Sequence, residues 1–195
     1  MMSSYKKANG LLVVSKQEGA VVGRFDDFQF DLESLTIYGY RIKGSGMFAK
    51  AGGVRGDLLD VIGRDVAFIQ SEADVEWSAA RQAEDGRAWA SKYLGTRVIG
   101  RNGVSVGVVE DIAFSPAQGV RGLILDGNRM VELDERVSTG PAAIVIDDPE
   151  RVADMTEESP EEDEHWWNWL TKPSKSSKPE TPDTSESADK PAEDD

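Results

Sequence analysis

The segment Gly19-Ala-Val-Val-Gly23-Arg-Phe25-Asp26-Asp27-Phe28-Gln29-Phe30 returns 84 positions later as Gly103-Val-Ser-Val-Gly107-Val-Val109-Glu110-Asp111-Ile112-Ala-Phe114. Five of the twelve positions are identical, and Phe25/Val109, Asp26/Glu110 and Phe28/Ile112 keep their chemistry. An internal copy of this kind restricts the architecture to two versions of one small unit, each with its own apolar pattern. The repeated positions Gly23, Asp27 and Phe30, with Gly107, Asp111 and Phe114, form the structural signature of that unit.

Between Leu11 and Ile69 the chain runs in short apolar or alternating stretches punctuated by glycine. Leu35-Thr-Ile-Tyr-Gly-Tyr-Arg-Ile42 is rich in the β-branched and aromatic residues that pack well on a pleated surface. The second unit repeats the plan, with Asn102-Gly103 and Asp126-Gly127 between apolar runs as hairpin signals, since type I′ turns need positive φ at both central residues. Five or six short strands per unit are too few for a sandwich and suit a small barrel. The expected fold is therefore mainly β: a first barrel over residues 9–72, a linker over 73–92, a second barrel over 93–148 and a tail over 149–195. Within the linker, Asp74 to Lys92 reads as a helix, with Ser71 or Asp74 as its cap and Val75, Ala79, Ala83 and Trp89 as an apolar stripe. Trp77 and Trp89 are the side chains large enough to cement one barrel to the other.

Charge is distributed unevenly. Residues 157–195 hold 13 acids against 4 lysines, which accounts for nine of the fourteen net negative charges. From Thr171 onward there is no large apolar side chain, so the tail cannot offset its own ordering entropy and is expected to be disordered. One island stands in it: Ser159-Pro160-Glu161-Glu162 has the form of a capping box, and a helix over 160–171 follows. Trp166, Trp169 and Leu170 share one face of that helix with Trp167 beside them, which marks these four residues as a partner-binding element. The helix admits two readings, one folding back on a barrel of its own chain and one presenting an apolar face to another protein. Its four acids argue against an anionic membrane surface.

Several function classes lose support on composition alone. The mild negative charge of residues 1–156 offers no clustered Lys and Arg for phosphate backbones, so no nucleic acid is expected as a partner. There is no cysteine, and His165 is the single histidine, so no metal site, no cofactor and no triad-type hydrolase are expected. The apolar run Leu11–Val14 is far too short to span a bilayer, and the chain reads as soluble and cytoplasmic. Asp27 and Asp111 read as acceptors of backbone N–H groups, since a repeat explains both without a shared catalytic site. One loop, from Lys43 to Gly56, is basic and glycine-rich, and Lys43, Lys50 and Arg55 make it a candidate anion-binding site without matching the phosphate-loop pattern.

The doubled Gly-x-x-Val-Gly-x-apolar-acid-Asp-apolar-x-Phe pattern, flanked by apolar strands, resembles the PRC-barrel family, a small β-barrel of the H subunit of purple-bacterial photosynthetic reaction centres and of a ribosome-maturation factor. The likeness covers residues 9–72 and 93–148. It implies a barrel that holds other macromolecules and brings no catalytic residues. The expected function is that of a non-enzymatic adaptor or assembly protein binding protein partners. A small-ligand or anion sensor acting through the basic loop is the alternative, and ribosome or RNA maturation a third reading.

Overall fold

A computed structural model describes residues 2–44, 50–77, 87–134, 137–139, 142–147, 149 and 152–155. The expectations for the tail helix 160–171, with Trp166, Trp167, Trp169 and Leu170, lie outside the described residues, as does the middle of the linker, 78–86. In chain order the elements are β1 (Ser3–Ser4), α1 (Tyr5–Ala8), β2 (Leu12–Ser15), β3 (Val21–Phe30), β4 (Ile37–Lys43), β5 (Ala51–Arg55), β6 (Leu59–Ile62) and β7 (Val66–Ile69). They continue with β8 (Ala88–Trp89), β9 (Arg97–Gly100), β10 (Ser105–Ser115), β11 (Gly119–Leu125), β12 (Arg129–Glu132), β13 (Ser138–Thr139), β14 (Ala143–Ile146) and β15 (Val152–Asp154).

The fold is mainly β, in two curled half-barrel sheets. The first has the order β5-β4-β3-β2-β7-β6, and the second β15-β12-β11-β10-β9-β14-β13. From β5 to β6 and from β12 to β13 the order is the same, including one parallel pair in each, β2 with β7 and β9 with β14. β3 and β10 are the long central strands, and both slip register against their neighbours at matching places, between Phe25 and Asp27 and between Val109 and Asp111. Bulges there bend each strand so that one strand serves two sides of a half-barrel.

One apolar core runs through both sheets. Val13, Phe25, Phe28, Phe30 and Ile42 from the first meet Ile112, Phe114, Leu123 and Leu125 from the second. The Phe28 and Phe114 rings lie 4.3 Å apart and Phe25 and Phe114 6.2 Å, within the range where aromatic pairs add to simple burial. The two repeat phenylalanines therefore belong to a common interior.

Each sheet also borrows a strand from outside its own span. β1 pairs with β10, setting Ser3 opposite Phe114 and Ser4 opposite Ala113. β8 pairs with β3, setting Ala88 opposite Phe30 and Trp89 opposite Gln29. A short helical turn follows each borrowed strand, α1 in one case and a 3₁₀ turn over Ala90–Lys92 in the other. The chain then crosses to its own sheet through Gly10 or Gly95, whose N–H groups donate to the Phe25 and Val109 carbonyls at 2.8 Å.

The linker helix expected over 74–92 is corrected at both described ends. Ser71 does act as a cap, its hydroxyl accepting the Ala73 N–H while its own N–H donates to Asp74, but the turn that follows spans only Glu72–Asp74. Val75 is extended and buried, and Glu76 exchanges two backbone hydrogen bonds with Gly53, at 2.9 and 3.0 Å. A β-branched side chain drawn into the core and an unpaired strand edge at β5 together outweigh a weak helical stripe. The tail also begins later than residue 149, because Val152–Asp154 pairs with β12.

Candidate functional site

The repeat signature is structural on both sheets. Asp27, fully buried, accepts the Phe28 N–H (2.9 Å) and, from the borrowed arm, the Ser91 N–H (3.3 Å) and hydroxyl (2.6 Å). Asp111 accepts the Ile112 N–H (2.8 Å) and the Lys6 N–H of the other arm (2.9 Å). Each carboxylate thus clasps the helical turn that the opposite half contributes. Burial pushes the Asp27 carboxyl above its ordinary value, and hydrogen bonds from Ser91 and Phe28, with the Arg41 charge, only partly offset this. Neighbouring Asp26 behaves oppositely: burial raises it, but Lys43 at 2.5 Å and the Arg41 guanidinium bring it below the usual carboxylate range.

Gly23 sits where β3 passes the end of β4, and a Cβ there would press on the Lys43 carbonyl and on Ile42 Cγ2 at 2.8 Å. At Gly107 the neighbours are the Asp126 carboxylate and the Arg129 guanidinium, side-chain ends that can move. The close-approach reading of the two glycines is therefore strict at the first and lenient at the second. Phe30 is buried against Phe28 and Tyr93, at 5.5 and 5.1 Å between centroids.

The basic loop residues are spread along the outer edge of the first sheet. Lys43, at the end of β4, is paired with Asp26. Arg55, at the far end of β5, forms a two-point ion pair with Asp57, at 2.5 and 3.0 Å. Lys50 is exposed, and its carbonyl accepts the Gly44 N–H at 3.0 Å. In register Lys43 faces Ala51 while Arg55 faces Gly39, so the backbone positions that carry them lie about 13 Å apart along the strands. Residues 45–49 of the loop lie outside the described residues.

A cleft of about 220 Å³ opens on the outer face of β3, β4 and β5. Gln29, Gly39 and Gly53 lie along one row of the sheet or beside it, and two of them bring no side chain. Trp89 and Tyr38 supply aromatic walls, Val54 and Leu58 aliphatic ones, and Arg55, Arg87, Asp74 and Glu76 the charges. The rings are themselves held by cations: Arg41 stands 4.5 Å from the Trp89 centroid and Arg87 3.8 Å from that of Tyr38. Gln29 is only 6% exposed, and its Nε2 has no hydrogen-bond partner. Sequence reasoning overlooked Gln29, Tyr38 and Arg87, and gave Trp89 a purely cementing role. The available signal was the polar Gln29 between Phe28 and Phe30, where the other repeat has Ala113.

Tyr40 also borders this region, but its ring points inward, 5.8 Å from that of Phe25, and its hydroxyl has no partner. Burial holds the phenol far above its ordinary value. Tyr40→Phe removes an unsatisfied polar atom without changing shape and is expected to stabilise the fold by about 1 kcal/mol. A thermal melt showing a lower midpoint for the variant would contradict that account of the hydroxyl.

Among the described residues, no group of three or more His, Asp or Glu side chains is arranged to hold a metal ion, and no helix is long and apolar enough to cross a membrane. Residues 89–153, from Trp89 into β15, match the family model of the PRC-barrel domain. No curated protein matches the chain significantly.

Proposed function

We propose that this chain is a non-enzymatic adaptor or assembly protein made of two PRC-type barrels, the first sheet being a second copy of the domain matched over 89–153. Its sheet surfaces hold protein partners, and the tryptophan-rich segment 160–171 adds a second docking element. The observation that carries this reading is the fate of the buried carboxylates. Asp26, Asp27 and Asp111, the groups that acid or base chemistry would need, are each taken up structurally: Asp26 by Lys43 and Arg41 of β4, and Asp27 and Asp111 by N–H donors that tie one half to the other. The common strand order supports two copies of one module, and the net acidity of the chain favours protein over nucleic acid.

The test compares the full chain with one ending at Thr156, each immobilised and exposed to extract from the source cells, with captured proteins measured by quantitative mass spectrometry. A partner engaged at two linked places is expected to be retained about a hundredfold less after truncation. Equal retention by both would remove the tail element from the proposal. Turnover of any substrate by the purified chain, abolished by Asp27→Asn, would overturn the non-enzymatic reading.

A further inference from the structure

We propose that the cleft on the outer face of β3, β4 and β5 is a docking pocket for one aromatic residue of a peptide segment. The incoming ring lies beside Trp89 and Tyr38, and the residue's backbone carbonyl accepts the Gln29 Nε2 hydrogen. This rests on the protein-binding reading above and gives it a place and a chemistry.

Three observations carry the assignment. The second sheet provides the internal comparison, because its equivalent face is packed shut. In register, Gln29 corresponds to Ala113, Gly39 to Gly122 and Gly53 to Met130. Met130 is fully buried, with its methyl group lying directly over Gly122. Where the second sheet places an alanine and a filling methionine, the first places an amide and a bare backbone. The cavity therefore comes from particular residues and not from the strand order that both sheets share.

The second observation is the unpartnered amide. A buried donor without an acceptor is costly, and buried polar atoms in native proteins nearly always have partners. Gln29 Nε2 breaks that rule in a side chain that lines the cleft, so a turn of the amide toward an arriving acceptor gains a hydrogen bond for which the protein has already been desolvated.

The third is size and charge. At about 220 Å³ the cleft falls below the roughly 300–1,000 Å³ of pockets that take whole small ligands, and it suits a single large side chain. Two guanidinium groups and two carboxylates line it, so it favours neither anion nor cation. A neutral ring with one carbonyl satisfies both the apolar walls and the amide, and every aromatic residue within a peptide carries that pair.

The full chain, labelled with ¹⁵N, is titrated with N-acetyl-L-phenylalaninamide and followed by NMR. Saturable shifts are expected at the Gln29 side-chain amide and the Trp89 indole N–H. N-acetyl-L-alaninamide, which lacks the ring, should bind far more weakly, and sodium acetate should produce no saturable shift. Gln29→Ala is expected to weaken the phenylalanine probe by up to about tenfold. Gly53→Met, which imports the second sheet's filling residue, should abolish binding while the remaining spectrum reports an intact fold. Shifts that do not saturate, or that survive both substitutions, would overturn the pocket. Partner capture by the full chain with no probe binding would remove the pocket and leave the adaptor reading standing. Saturable probe binding without partner capture would support the pocket and remove the adaptor reading.

Discussion

Gly119→Ala is expected to lower the melting midpoint by about 6–12 °C, a larger effect than alanine at any other left-handed glycine among the described residues. Gly119 opens β11 at φ +78°, a region that costs an L-residue about 1–2 kcal/mol. A Cβ at this position would also run into the carbonyl oxygen of Leu35, which is fixed because it accepts the Val120 N–H at 2.8 Å. Backbone cannot yield as a side chain can, so an overpacking cost of about 1–3 kcal/mol adds to the conformational one. The total of about 3 kcal/mol converts at about 2–4 °C per kcal/mol for a chain of this size. Gly103→Ala is the control, since Gly103 has φ +82° but nothing within 4 Å of an added Cβ. Equal midpoints for the two variants would show that the Leu35 contact gives way freely.

Asp27→Ala is expected to cost about 3–4 kcal/mol and to loosen a segment 64 residues away. The substitution strands the buried Phe28 N–H, the Ser91 N–H and one contact of Arg41, at about 1–3 kcal/mol for each orphaned buried donor. Hydrogen exchange should therefore accelerate over residues 88–92, in the arm that Asp27 holds, and leave the arm over 3–8 protected. Asp111→Ala should do the reverse, since its carboxylate receives the Lys6 N–H, 105 residues distant. Asp27→Asn keeps an acceptor for the two backbone donors but sets an amide N–H₂ toward Ser91 and Arg41, so an intermediate loss is expected. If exchange rose equally in both arms for either alanine variant, the clasps would not be separate devices.

Much of the fold was legible in the primary structure because the repeat announced itself in residues that do the same job twice. The alternation along Ile37–Lys43 and the Asn102-Gly103 turn placed strands and hairpins where they occur. Asp27 and Asp111 were readable as acceptors of backbone N–H groups. Nothing local indicated that half of those groups would come from arms outside both repeats, because the partners Ser91 and Lys6 are set by tertiary structure and carry no sequence mark. The linker misled for a related reason. Val75 and Trp89 fit a helical stripe, yet each sits in extended backbone, one reaching the core and the other paired with β3. The cleft was the least visible element, since it arises from a difference between the two sheets, Gln29 for Ala113 and Gly53 for Met130, and attention to likeness passes over such positions.

The crossing arms carry a consequence for anyone dividing the molecule. A fragment starting near Trp89 keeps an arm made to pair with a strand it no longer possesses, and it leaves the edge of β10 at Ala113 and Phe114 bare where Ser4 and Ser3 used to pair. Two such fragments side by side would each hold what the other lacks, so the severed half should be found as a pair of twins trading their first few residues.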